Sequence, residues 1–407
     1  MGMNNTPSTN RLHIAFFGKR NVGKSSLVNA VTGQDTVIVS EQKGTTTDPV
    51  SKSMELLPLG PVLIIDTPGI DDAGNLGELR VQKAKQILNK TDLAVLVADI
   101  AESGTELSAV DREFIGLFKE KNIPCIMAYN KSDMIKTPGS APVPEGSDVS
   151  LFVSAKTGYN IHELKEKIAA LDKTEETPLR IVGDLISAGD FIVLVTPIDK
   201  AAPKGRLILP QQQTIRDILD ADATAVVVKE SEYRDTLASL QKKPALVITD
   251  SQVFAKVSAE TPEEIPLTSF SILFTRLKGF LDSAVRGIAD FERIEEGCKI
   301  LVCEGCTHHR QCDDIGTVKL PQWIKEHTEK TPEFVFCSGG DFPEKLSTYR
   351  LVLHCGGCML NDKEMKRRRD SAAAQGIPFT NYGIVIAHIQ GILKRSLEVF
   401  GESSSKM

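Results

Sequence analysis

No apolar run in this 407-residue chain approaches the length of a membrane span. The first ten residues are polar and hold no signal-peptide core, which points to a cytoplasmic protein. An excess of positive charge is also missing: 48 Lys and Arg against 54 Asp and Glu leave a net charge of −6. That balance argues against a bulk electrostatic grip on nucleic acid or an anionic membrane, so neither is expected as a partner. Short-period repeats and low-complexity tracts are absent. Cysteine is nearly absent from the first three quarters of the chain. One of the eight, Cys125, precedes a group of seven that begins at Cys298. In a cytosolic chain this is no disulfide framework, and the bias localises whatever chemistry the thiols perform.

The remaining composition, 41% hydrophobic and 25% charged, is ordinary for globular domains. The length suits two or three of them. Residues 1–10 read as a disordered N-terminus. Residues 11–172 alternate short strands and helices. Leu12–Phe17, Val62–Asp66, Leu93–Asp99 and Cys125–Asn130 read as buried parallel strands whose C-terminal ends carry a site. After a linker at Lys173–Pro178, strand-like runs at Phe191–Thr196, Thr224–Lys229 and Ala245–Thr249 mark a second α/β unit, residues 178–268, without a catalytic motif. Residues 269–400 form a third. It opens helically over Ser269–Glu295, continues with strands at Lys299–Cys303, Glu333–Cys337 and Tyr349–His354, and has helical stretches at Leu320–His327, Asp362–Ala374 and Tyr382–Phe400. Residues 401–407 read as a disordered tail. The fold class is α/β, in three α/β domains.

The first unit holds Gly18-x-x-x-x-Gly23-Lys24-Ser25-Ser26 between a strand and a helix, the context a phosphate-binding loop needs. Its backbone N–H groups and the helix N-terminus would cradle phosphates. Lys24 would reach the β- and γ-phosphates, and Ser25 would bind Mg²⁺. Asp66-Thr67-Pro68-Gly69 ends the next apolar strand, with Asp66 near Mg²⁺ and the Gly69 N–H near the γ-phosphate. Asn130-Lys131-Ser132-Asp133 ends a later one. A carboxylate at Asp133 can accept both N–H donors of a guanine edge, whereas adenine presents the wrong pattern. The ligand is therefore GTP or GDP. Lys131 would lie along the base, and Ser154-Ala155-Lys156 would complete its pocket.

These motifs resemble the Era/TrmE-like group of translation-factor GTPases. Gly44-Thr45-Thr46-Thr47-Asp48 is similar to that group's first switch, which makes Thr46 the Mg²⁺ and γ-phosphate threonine. Ile70 stands where Ras has its water-orienting glutamine, so hydrolysis is expected to be slow. Asn21 occupies the loop position that helps coordinate K⁺ in TrmE-like relatives. A K⁺ ion there would take the electrostatic role of an arginine finger. The resemblance thus implies a slow, K⁺-stimulated GTPase. Asp71, Asp72 and Glu78 lie in the expected second switch.

The last third holds Cys306-Thr307-His308 and His354-Cys355-Gly356-Gly357-Cys358. If the strands before them are parallel neighbours, all three sulfurs meet at one sheet edge. Three thiolates are one short of a cluster set, and His308, His354 or Glu304 is a candidate fourth ligand. A second reading is a structural zinc site, either from Cys303-x-x-Cys306 with Cys355-x-x-Cys358 or from three thiolates and a histidine. His13, His162, His309, His327 and His388 lack a partnered motif and default to surface or core roles. Lys366-Arg367-Arg368-Arg369 reads as a solvated helix face.

With these motifs, and with the order of GTPase, middle α/β unit and cysteine unit, nearly all of residues 11–400 resembles HydF, the GTPase family that matures iron-only (FeFe) hydrogenases. Its hallmark is C-x-H, a long gap and H-C-x-x-C. Here 45 residues separate the two histidines. The resemblance implies a 4Fe–4S cluster on Cys306, Cys355 and Cys358 with an exchangeable fourth position. It also implies a diiron precursor as cargo, two radical-SAM maturases and apo FeFe-hydrogenase as partners, and a homodimer formed through the middle domain. The rival readings are an RNA-associated Era/TrmE-like GTPase and a GTP-regulated interaction module with structural zinc.

Overall fold

A computed structural model describes residues 11–33, 49–57, 59–69, 84, 86–135, 141–171, 180–198, 207–305 and 314–401. The chain divides into two compact units, residues 1–176 and 177–407.

The first unit is built on a six-stranded sheet of β1 (Leu12–Phe17), β2 (Val50–Leu56), β3 (Gly60–Asp66), β4 (Leu93–Asp99), β5 (Cys125–Asn130) and β6 (Val149–Phe152), in the order β2-β3-β1-β4-β5-β6. All pairs are parallel except β2 with β3. The unbroken apolar runs of β4 and β5 follow from this position, because helices cover both faces and every residue of both strands is buried. One face packs Leu27, Val28 and Val31 of the helix Lys24–Thr32 with Leu164 and Ile168 of the helix Ile161–Ala170. The other packs Phe114, Ile115 and Phe118 of the helix Ala109–Glu120. That helix starts at a capping box in which the Asp111 N–H donates to Ser108 Oγ and the Ser108 N–H to Asp111 Oδ2.

The second unit contains two four-stranded, all-parallel sheets. The first comprises β7 (Phe191–Val195), β8 (Thr224–Val228), β9 (Leu246–Thr249) and β10 (Leu267–Ser269), ordered β10-β9-β7-β8. The second comprises β11 (Lys299–Glu304), β12 (Glu333–Ser338), β13 (Leu351–His354) and β14 (Phe379–Asn381), ordered β12-β11-β13-β14. The sheets share one core that runs from Val193 and Val247 to Ile300, Leu301 and Val352. The helix Phe270–Leu277 contributes Ile272 to this core and Phe270, Leu273 and Phe274 to the neighbouring one. Being apolar nearly all round, it is an internal element, and the boundary expected at 268/269 falls where it begins. Edge strand β8 has an apolar sequence yet is half exposed, with Val227 at 40%. Among the described residues no helix is long and apolar enough to cross a membrane.

Two helical expectations break at glycines. Ser269–Glu295 is three short helices, Phe270–Leu277, Leu281–Arg286 and Ile288–Phe291. Tyr382–Phe400 is interrupted after Ile389.

Candidate nucleotide and cysteine sites

The nucleotide motifs converge at the C-terminal ends of β1, β3 and β5. Gly23, at φ +87, is the last residue before the helix Lys24–Thr32. A Cβ there would lie 2.4 Å from Asn130 Nδ2, so only glycine permits the close approach. Asn21 also adopts a left-handed conformation, φ 64, on the exposed crest of the loop. The Lys24 ammonium is buried and donates to the Gly18 and Lys19 carbonyls at 3.0 and 2.6 Å. Ser26 lines the adjoining cavity. Gly69 passes directly over the loop, and a Cβ on it would meet Arg20 Cα at 2.8 Å.

Ser25 Oγ donates to Asp66 Oδ2 at 2.5 Å, while the buried Asp66 Oδ1 has no hydrogen-bond partner among the described residues. Burial pushes the Asp66 carboxyl up, opposed by the Ser25 hydrogen bond and the Lys24 and Lys52 charges. A hydroxyl and an orphaned buried carboxylate oxygen side by side fit Mg²⁺, a hard cation that takes oxygen ligands.

The base side is a single network. Buried Asn130 donates from Nδ2 to the Val22 carbonyl at 2.9 Å and accepts the Ala155 N–H at Oδ1, 3.1 Å, so it ties the phosphate loop to the Ser154–Lys156 turn. Lys131, left-handed at φ 63, pairs its ammonium with Asp99. Asp133 accepts from Ser154 Oγ at 2.6 Å, and this bond holds its carboxyl below the usual range. Asn29, Lys131, Asp133, Met134, Ala155 and Lys156 help line an open cavity of about 790 Å³. The motif reading missed Asn29 and Met134, which carry no motif signal. Thr46, Ile70 and residues 71–78 lie outside the described residues.

In the second unit β11 and β13 are parallel neighbours, with Cys303 paired to His354 in register. The Cys355 N–H continues this ladder onto the Cys303 carbonyl at 2.9 Å. The Gly305 and Gly357 N–H groups donate to Cys355 Sγ at 3.1 and 3.4 Å. Burial pushes the Cys355 thiol up, and these two donors act against it. Gly357 has φ +67, and a Cβ would meet Met365 Sδ at 2.6 Å. Cys358 is half-buried. Glu304 is buried at the end of β11. The buried Tyr382 hydroxyl has no hydrogen-bond partner among the described residues, and burial and the nearby Cys355 and Glu304 charges push it well up. Backbone donors on a sulfur and an unspent buried hydroxyl fit a sulfur-rich anionic group. Cys306 and His308 lie outside the described residues.

His354 and Arg368 meet beneath this strand end. His354 is fully buried, its Nδ1 2.7 Å from the Cys355 carbonyl and its Nε2 3.1 Å from the Arg368 guanidinium. Both ring nitrogens are engaged in this conformation. Burial and the Arg368 charge pull its pKa down to about 3. Arg368, expected on a solvated face, is likewise fully buried. It binds Glu364 Oε1 at 2.8 Å and the Gly339 carbonyl as well as His354. Of the four-cysteine zinc set, Cys306 lies outside the described residues. Cys303 Sγ sits 2.9 Å from Cys337 Sγ, and Cys303, Cys355 and Cys358 do not gather about one point.

A phosphate loop, an orphaned magnesium-type carboxylate and a guanine-type Asn-Lys-x-Asp turn on a six-stranded sheet define a P-loop GTPase domain. Residues 13–131 match the family described as 50S ribosome-binding GTPase. Residues 181–279 match the hydrogen maturase F dimerization domain, and residues 282–399 the hydrogen maturase F tetramerization domain. The chain belongs to the hydrogen maturase F family. The second description names tetramerization, which the sequence reading did not include.

Among curated proteins, tRNA modification GTPase MnmE of Endomicrobium trichonymphae is 31% identical over 46% of this chain and 41% of its own. GTPase Der of Kosmotoga olearia is 29% identical over 49% and 48%. The chain thus spans less than half the length of these relatives. Among solved structures, Aquifex aeolicus Era bound to GDP·AlF4⁻ is 21% identical, covering 53% of this chain and 92% of that one at TM-score 0.34. The G domain of the Thermotoga maritima FeoB iron transporter is 25% identical, covering 40% and 98% at TM-score 0.30.

Proposed function

We propose that this protein is a GTP-hydrolysing scaffold that holds a 4Fe–4S cluster, receives a diiron precursor and delivers it to apo FeFe-hydrogenase. The observation that carries this reading is the parallel pairing of β11 with β13, which brings Gly305 and Cys355 together at one sheet edge, with Cys358 three residues on. In the sequence Cys306 is the residue after Gly305. Cys306, Cys355 and Cys358 would hold the cluster. Glu304, His308 and His354 remain candidates for the fourth position, and an exchangeable ligand there suits release of cargo. When bound, the cluster would supply an anchoring metal for that cargo.

The chain's own residues set the surroundings. Gly305 and Gly357 donate to Cys355 sulfur, and the Arg368–His354 pair fixes the strand end beneath it. The half-exposed apolar edge of β8 supports dimerisation through the middle sheet. The precursor would come from two radical-SAM maturases.

In the nucleotide site Ser25, Thr46 and Asp66 would bind Mg²⁺, and Lys24 and Gly69 would stabilise the γ-phosphate. Asn21, on the exposed crest, would help bind K⁺. The corresponding test compares GTP turnover in KCl and NaCl, and equal rates remove the K⁺ assignment. The scaffold test is activation of purified apo FeFe-hydrogenase by maturase-loaded protein. Wild type should confer hydrogen evolution and Cys355→Ser should not. Equal activation by both would remove the cysteine site from the function.

A further inference from the structure

His327 and His388, two histidines without a partnered motif, meet Glu292 at one point. Glu292 Oε1 lies 3.1 Å from His327 Nε2 and 2.5 Å from His388 Nε2. Glu292 is 35 residues from His327 and 96 from His388 in sequence, so the fold assembles the group. We propose that Glu292, His327 and His388 form a second metal site, for a borderline divalent ion such as Zn²⁺, separate from the cysteine site.

The donor set is the first argument. Two imidazoles and one carboxylate suit zinc and its neighbours, whereas Mg²⁺ and Ca²⁺ prefer oxygen alone. Spacing is the second. The three donor atoms lie within 4.8 Å of one another. Metal–nitrogen bonds of about 2.0–2.1 Å place tetrahedral donors about 3.4 Å apart, so the side chains need only small adjustments.

Preorganisation is the third. Phe291 stacks on His327 with ring centroids 5.8 Å apart and meets His388 edge-on at 5.9 Å, which holds both rings toward Glu292. The helix Ile288–Phe291 sets the phenyl ring and carboxylate side by side. Access is the fourth. The side chains of Glu292, His327 and His388 are 51%, 27% and 26% exposed, so an ion can enter and water can fill the fourth position.

The site lies at the opposite edge of the sheet from Cys355. Glu292 precedes β11, and His327 sits in the last turn of the helix that leads into β12. His388 lies near the end of the helix that starts at the C-terminal end of β14 and runs back. A bound ion would clamp three elements at the base of the sheet.

The test is a Co²⁺ titration of nucleotide-free, full-length protein. In Cys355→Ser/Cys358→Ser, which removes two of the three thiolates of the cysteine site, the site predicts visible d–d bands that saturate at one equivalent, without the intense sulfur-to-cobalt band of a thiolate site. On that background affinity should fall at least about 100-fold in His388→Ala and in the near-isosteric Glu292→Gln, beyond the 10–100-fold typical of losing an outer-shell partner. Absence of saturable bands from the cysteine variant, or their survival in both site variants, would each overturn the assignment.

Discussion

Arg368 donates to Nε2 of His354 at 3.1 Å, and both side chains are fully buried at the base of the cysteine loop. The same guanidinium binds Glu364 and the Gly339 carbonyl, so one residue spans the ends of β12 and β13. Arg368→Leu should destabilise the second unit by about 3–5 kcal/mol, the usual cost of breaking a buried charged pair from one side. Arg368→Lys should fall between, because an ammonium cannot reproduce the planar fork. Urea denaturation followed by a probe in the second unit measures this. GTP turnover should be unchanged in both variants if the folded first unit is unaffected.

Asp133 sets the base preference. Its carboxylate accepts from Ser154 and faces the open cavity. Asp133→Asn exchanges an acceptor for a donor opposite the guanine N–H groups. GTP affinity should fall at least about 100-fold, the scale of losing two charge-assisted hydrogen bonds, while xanthosine triphosphate affinity should rise. Fluorescent-nucleotide titration reads both, and unchanged GTP affinity would remove Asp133 from the base site.

Asp66 is held in a place where a carboxylate without a cation is unfavourable. Asp66→Asn should leave the metal-free first unit as stable as wild type or more so. It should abolish the rise in Tm given by Mg²⁺ with GDP and lower kcat at least about 100-fold, the scale of losing a transition-state charge contact. Chelation of Mg²⁺ from wild type should reproduce the rate loss.

Cys125 is enclosed in β5, and burial pushes its thiol from near 9 up to about 12. Between those values the unfolded chain releases a proton that the folded chain keeps. Stability conferred by the neutral thiol is therefore complete below pH 9 and lost as pH rises toward 12. The slope is at most about 1.4 kcal/mol per pH unit. The difference between wild type and Cys125→Ala in urea titrations at pH 8 and pH 10.5 isolates it. No change in that difference would contradict the assignment.

What the sequence made legible follows from local chemistry. Strand positions and the nucleotide motifs were readable because buried parallel strands are continuous apolar runs and a phosphate loop needs glycines at fixed spacing. Cys355 was readable because its Gly-Gly flank and the preceding apolar run mark a tight turn at a strand end. Arg368 was misread because two of its partners, His354 and Gly339, come from other elements, and a basic run on a helix normally faces water. His327 and His388 were passed over for the same reason, since their shared partner Glu292 lies far away in sequence. The long helical stretches broke at Gly279, φ +72, and Gly391, φ +70, where local handedness outweighed apolar periodicity.

The central claim is that Cys355 and its partners hold an iron–sulfur cluster. It is tested most directly by iron, sulfide and zinc content after anaerobic reconstitution, with EPR of the reduced protein, in wild type and Cys355→Ser. The account predicts about four irons and four sulfides per wild-type chain, a reduced-cluster signal, and loss of both in the variant. Zinc without sulfide and without a signal, or a full cluster in the variant, would contradict it.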